Sequence, residues 1–135
     1  MSGPILDTNV LLRHLLEDNA EQSPRATEFM MSLAKGEVSA ELPMTVLFEA
    51  NYILQGTYGR TREEVVAALT PILGLPNLSI SERDAAVRTL QLYAEHNISF
   101  ADAFHAALAE QNEPPQILSF DRGFNRIRTI QRIEP

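Results

Sequence analysis

Four carboxylates are candidates for chemistry: Asp7, Glu49, Asp102 and Asp121. Asp7 follows Pro4-Ile5-Leu6, where proline suits the first residue of a strand and two apolar residues run into an acid. Asp121 follows Ile117-Leu118-Ser119-Phe120 in the same way. In a parallel α/β sheet, ligands bind outside the carboxyl ends of the strands, so both acids are site candidates by position. Asp102 lies in an alanine-rich stretch whose small residues let a helix approach a sheet closely. Glu49 flanks an apolar helical stripe and does not sit diametrically opposite it. Each acid also has a structural explanation. Asp7 is a good helix cap, Asp121 a good turn residue before Arg122-Gly123, and Glu49 an ordinary surface acid. Asp102 is the partner acid of the capping box Ser99-Phe100-Ala101-Asp102.

If the four converge, electrostatics dictates what must accompany them. At about 5 Å and an effective dielectric of about 20, each like-charged pair costs roughly 3 kcal/mol. Protons or a hard cation must relieve that repulsion. Mg²⁺ and Mn²⁺ prefer carboxylate and water ligands. An acid cluster without a lysine partner therefore reads as a Mg²⁺ or Mn²⁺ site, able to polarise phosphoryl oxygens and activate water.

The elements that must position these acids can be read from punctuation and periodicity. After the first strand, Val10 to Leu16 predicts an apolar helix, and Glu17 to Gln22 a turn. Ser23-Pro24 predicts a cap with a first-turn proline, for a helix ending at Lys35-Gly36. Val38 to Leu42 predicts a strand closed by Pro43. Thr45 is expected to cap a helix with Val46, Leu47, Ala50, Ile53 and Leu54 on one face. Gly56 and Gly59 break it. Thr61-Arg62-Glu63-Glu64 is a capping box for a helix bent or ended near Pro71. Leu78 to Ile80 predicts a strand, and Ser81-Glu82-Arg83-Asp84 opens a helix to about His96. Ser99 to Glu110 is the alanine-rich helix, Gln116 to Phe120 a strand, and Thr129 to Ile133 an edge strand. Strands alternating with helices predict a parallel sheet sandwiched between helices.

Length and composition narrow the class. A chain of 135 residues predicts a single domain spanning 1–135, long enough for a sizeable core. No apolar run nears membrane-spanning length, and the N-terminus carries no charged leader, so a cytoplasmic protein is expected. The absence of cysteine excludes disulfides and cysteine-ligated zinc. A formal charge of −7 argues against non-specific coating of nucleic acid. Lys35 is the only lysine; the remaining positive charge is arginine, crowded at Arg122, Arg126, Arg128 and Arg132.

These residues resemble the PIN-domain family, with the nearest likeness to VapC-type ribonuclease toxins. Ile5-Leu6-Asp7-Thr8-Asn9-Val10-Leu11 resembles the family's opening strand and first acid. Glu49 in Val46-Leu47-Phe48-Glu49-Ala50-Asn51, Asp102 in Phe100-Ala101-Asp102-Ala103-Phe104-His105, and Asp121 in Leu118-Ser119-Phe120-Asp121-Arg122-Gly123 match the other three in order. His105 departs from the family, which more often has an apolar residue there; one turn from Asp102, it is either a substrate-facing residue or, the preferred reading, a core or rim histidine. The resemblance implies a three-layer α/β/α sandwich with a central, mainly parallel sheet. It implies a Mg²⁺- or Mn²⁺-dependent endoribonuclease, the toxin of a type II toxin–antitoxin pair, hydrolysing RNA phosphodiester bonds by metal-activated water. Asp7, Glu49, Asp102 and Asp121 would hold the metal, with Thr8, Asn9 and Ser119 orienting them. The implied partners are an RNA substrate, a cognate antitoxin protein and a second copy in a homodimer. Arg60, Arg62, Arg122 and Arg126 are candidates for RNA backbone contacts.

Three rivals bear on the same acids. A haloacid-dehalogenase-type phosphatase needs a second aspartate two residues after the first, where this chain has Asn9. A response-regulator receiver domain needs a lysine at the end of its last central strand, and Lys35 stands elsewhere. A catalytically inactive PIN-like scaffold is the alternative that stays open, although all four acids are present.

Overall fold

Pro4, Ile5 and Leu6 run extended beside the chain at Glu41: Leu6 N–H donates to the Glu41 carbonyl and Glu41 N–H to the Pro4 carbonyl, both at 2.8 Å. Only Ile5 forms a parallel bridge with Glu41, so the opening strand is shorter than the sequence predicts. Gly3 makes this approach feasible. Its φ of 81° is left-handed, and a Cβ there would lie 2.6 Å from the Ser39 carbonyl oxygen. The computed structural model describes residues 3–135, and the chain divides into two compact units, Met1–Glu82 and Arg83–Pro135.

The first unit contains α1 (Thr8–Leu16), α2 (Gln22–Ala34), β1 (Ala40–Glu41), α3 (Met44–Gly56), α4 (Arg62–Leu73) and β2 (Leu78–Ser79). β1 and β2 pair in parallel, Ala40 with Leu78 and Glu41 with Ser79. α1 packs against α2 and α3, and α3 against α4. Leu11, Leu33, Leu47, Ala50 and Leu69 are buried.

Helix boundaries show where local chemistry competes. α2 begins at Gln22, one residue before the expected Ser23 cap, because Asn19 Oδ1 accepts from the Glu21 and Gln22 backbone N–H groups. Ser23 instead accepts from Asn19 N–H. α3 starts at Met44 with extended Pro43 before it, so Thr45 lies inside the helix and is not its cap. The Thr61–Glu64 capping box is complete. α4 continues through Pro71 to Leu73 and gives up the one hydrogen bond that a residue-71 N–H would make to the Ala67 carbonyl. α1 ends with Glu17 in the left-handed region, φ 53°, its N–H donating to the Arg13 carbonyl.

The second unit contains α5 (Arg83–Glu95), α6 (Phe100–Glu110), β3 (Gln116–Leu118), a 3₁₀ turn (Arg122–Arg126) and β4 (Gln131–Ile133). β3 and β4 pair in parallel, Ile117 opposite Arg132. α5 packs on α6, with Tyr93 and Phe100 rings edge to face at 5.3 Å. Arg88 clamps the pair: Nε and Nη2 donate to the two Glu110 oxygens at 2.7 and 2.9 Å. β3 is half-buried to exposed and ends at Leu118, two residues short of the expected Phe120, and Leu118 and Phe120 stand in solvent. No helix among the described residues is long and apolar enough to cross a membrane.

Candidate active-site carboxylates

Asp7 is the N-cap of α1: its Oδ2 accepts from Asn9 N–H at 3.3 Å. The capping explanation of this acid therefore holds, and it leaves the exposed carboxylate with acceptor capacity to spare. Thr8, the next residue, is buried, and its hydroxyl donates to Glu49 Oε1 at 2.5 Å. A hydroxyl on a carboxylate is a short, charge-assisted bond. It ties α3's acid to the residue beside the first acid, across 41 positions of sequence. The packing of α1 on α3 makes the meeting possible.

Asp121 caps the 3₁₀ turn. Its Oδ1 accepts from Gly123 N–H at 2.8 Å, and its own N–H donates to Ser119 Oγ at 2.9 Å. Ser119 thus holds the turn that presents the acid. A Cβ on Gly123 would sit 3.0 Å from that same Oδ1, so a side chain there would press on the carboxylate. Asp102 is half-buried in the first turn of α6, and its N–H donates to Ser99 Oγ at 3.0 Å, the Ser99 half of the expected capping box. His105 is exposed, its ring 6.5 Å from that of Phe104, which makes it a rim residue.

Asp7 and Asp121 both cap a helical turn, and Asp102 lies in a first turn. The partial positive charge of a helix N-terminus favours a carboxylate there. Oxygen-only donors with free lone pairs suit a hard divalent cation. Within either unit, no group of three or more His, Asp or Glu side chains is arranged to hold a metal by itself, among the described residues.

The family model for the PIN domain matches residues 5–130, nearly the whole chain. The chain belongs to the PIN-domain family. PIN domains have an α/β fold, are generally nucleases and generally use divalent metal ions. The short parallel strands and the helices between them in sequence agree with that fold class. No curated protein matches the chain.

Of the arginines singled out in the sequence, Arg60 and Arg62 belong to the first unit and Arg122 and Arg126 to the second. Arg60 lines a small hollow with Leu54 and Glu64. Arg62 opens α4. Arg122 opens the 3₁₀ turn, and Arg126 donates to the Asn97 carbonyl at 3.0 Å. Two other arginines, Arg13 and Arg25, line a cleft between α1 and α2 together with Asn9. The signal for Arg13 lay in the sequence: it is four residues from Asn9, on the same helix face. Arg25 could be added only by the packing of α2.

Proposed function

We propose that this PIN domain is a Mg²⁺- or Mn²⁺-dependent endoribonuclease, the VapC-type toxin of a type II toxin–antitoxin pair. The observation that carries the reading is the family match over residues 5–130 with every acid of the four motifs in place. In this reading the two units belong to one domain, an α/β/α sandwich with a mainly parallel sheet. Asp7, Glu49, Asp102 and Asp121 hold the ion directly or through water.

When bound, the ion would polarise the scissile phosphate and supply an activated water. The chain's own residues set the geometry. Thr8 fixes Glu49 by its short hydrogen bond. Ser119 and Gly123 fix the turn carrying Asp121. Asn9 lends its backbone N–H to Asp7. Arg60, Arg62, Arg122 and Arg126 meet RNA phosphates, each adding salt-sensitive affinity. The protein works in the cytoplasm as a homodimer, and its antitoxin places an arginine or lysine against Asp7 and Asp102, a charge-assisted contact that blocks the acids.

The test is cleavage of total RNA with Mn²⁺ and with chelator, followed by mapping of new 5′ ends. Wild type should cut only with metal, and Asp7→Asn should not cut at all while melting as a folded protein. Wild-type cleavage by folded Asp7→Asn would refute the assignment.

A further inference from the structure

The cleft between α1 and α2 measures about 390 Å³ and is lined by Asn9, Arg13, Gln22, Arg25 and Phe29, among others. That volume falls within the roughly 300–1,000 Å³ of small-ligand sites. It starts at the end of α1 that Asp7 caps. Arg13 lies four residues beyond Asn9, about 6 Å along the axis at 1.5 Å per residue, the scale of one nucleotide step.

Its charges are held, yet not committed. Arg13 Nε donates to Gln22 Oε1 at 2.9 Å, which aims the guanidinium, while its pair with Asp18 is long at 3.5 Å. Arg25 meets Glu21 at 3.8 Å, with both side chains about four-fifths exposed. Exposed pairs of this kind are worth about 0–1 kcal/mol, so a phosphate displaces the carboxylates at little cost. By contrast, Arg88 is bound to both Glu110 oxygens. With Oε1 turned to Arg13, the Gln22 amide N–H₂ is left to donate. Phe29 is half-buried and offers an aromatic surface.

We propose that this cleft binds one nucleotide of single-stranded RNA flanking the cleaved bond: Arg13 and Arg25 take its phosphate, Phe29 stacks on its base, and Asn9 and Gln22 read the base edge. The inference rests on the ribonuclease reading and adds to it a specificity pocket. Single strands are the class that fits, because only an unstacked base can lie on an aromatic ring while its edge is read by amides. The cleft also supplies local positive charge on a chain whose formal charge is −7.

The test uses the full chain carrying Asp7→Asn, which keeps the RNA intact, and a fluorescent single-stranded oligoribonucleotide containing the site mapped for wild type. Binding is read by anisotropy over a salt series. Arg25→Ala should weaken binding about tenfold and lower the slope of log K against log salt by about 0.7, the value for one phosphate contact on a single strand. Phe29→Leu should weaken binding about tenfold, within the range measured for lost stacking, and leave the slope unchanged. In the active protein, Gln22→Ala should relax the base preference at one fixed position beside the cut. Arg25 is exposed and Phe29→Leu preserves apolar packing, so melting curves should show both variants folded.

If both variants bind with wild-type affinity and slope, the pocket assignment is overturned while RNA cleavage by wild type leaves the ribonuclease reading intact. If wild type cleaves no RNA yet Asp7→Asn binds a fluorescent single-stranded oligoribonucleotide of mixed sequence through Arg25 and Phe29, the pocket stands and the catalytic reading falls. Loss of a co-purified protein from Arg25→Ala, with RNA binding unchanged, would make the cleft a protein dock and refute the proposal.

Discussion

Glu49 is held differently from the acids of the second unit, and from Asp7, whose contact with Asn9 N–H is local. In Met1–Glu82, Glu49 is fixed by Thr8, 41 residues away in sequence. In Arg83–Pro135, Asp121 is fixed by Ser119 and Gly123, each two residues away, and Asp102 begins its helix with Ser99 three residues before it. The second unit spends its long-range polar contacts on packing: Arg88 reaches Glu110 across 22 positions, and Glu110 also accepts from the Thr129 hydroxyl. A locally held acid keeps its place wherever the local backbone forms. An acid held at long range is positioned only when two helices dock correctly. A single substitution should therefore separate positioning from stability differently in the two units.

The largest effect is expected at Asp102. The cap at this turn runs from its backbone N–H to Ser99, so replacing the carboxylate spares that bond. Asp102→Asn should change stability by less than about 1 kcal/mol, the usual scale of a cap. RNA cleavage should fall by orders of magnitude. Lost stability with retained cleavage would mean that Asp102 serves only the helix.

Next comes the packing contact of the second unit. Arg88→Ala removes two charge-assisted bonds and leaves a largely covered Glu110 with one partner fewer. Denaturant unfolding should show a loss of about 2 kcal/mol, in the range for hydrogen bonds to charged groups. Unchanged stability would place this pair among surface ion pairs of no consequence.

The comparison is sharpened most directly by Thr8→Val and Ser119→Ala. Valine matches threonine in shape but cannot hold Glu49. Cleavage should fall about tenfold, the equivalent of one net hydrogen bond. Ser119→Ala removes one of two local bonds at Asp121, and Gly123 N–H still holds the carboxylate. Its cleavage should fall by less than that of Thr8→Val. The reverse order, measured at saturating Mn²⁺, would show that local turns constrain the site more than helix docking does.

The smallest effects are expected in the pH dependence of stability. The Arg88 hydrogen bond, reinforced by Thr129, holds the Glu110 carboxyl below its ordinary 4.5. A depressed folded value means that the unfolded chain binds the proton more readily. This contribution is complete above about pH 4.5 and is lost as pH falls through the folded value. In the first unit, burial lowers His14 from its ordinary 6.5 against a weaker opposing pull from Glu17, and its Nδ1 lies 2.9 Å from Thr27 Oγ1. The sign is the same but the window is higher: stability should begin to decline as pH drops below about 6.5. His14→Gln should flatten the upper part of the stability profile, and Glu110→Gln the lower part. Profiles that keep both slopes in the variants would assign the pH dependence to other groups.

The sequence by itself determined what depends on neighbours along the chain. The Thr61–Glu64 box, the Ser99 cap, the end of α2 at Lys35-Gly36 and the turn at Asp121-Gly123 are all short-range hydrogen bonds or backbone preferences, written in two to four consecutive residues. The four acids and their order also lay in the sequence, and with them the family. Tertiary structure decided what depends on partners far apart. Strand ends are set by pairing with a distant chain segment, so the expected strands shrank to two or three residues. The Thr8–Glu49 bond, the Arg88–Glu110 clamp and the α1–α2 cleft have no local signature. Each joins groups that contact only when apolar helix faces pack, and no spacing within one helix specifies which face of another it will meet.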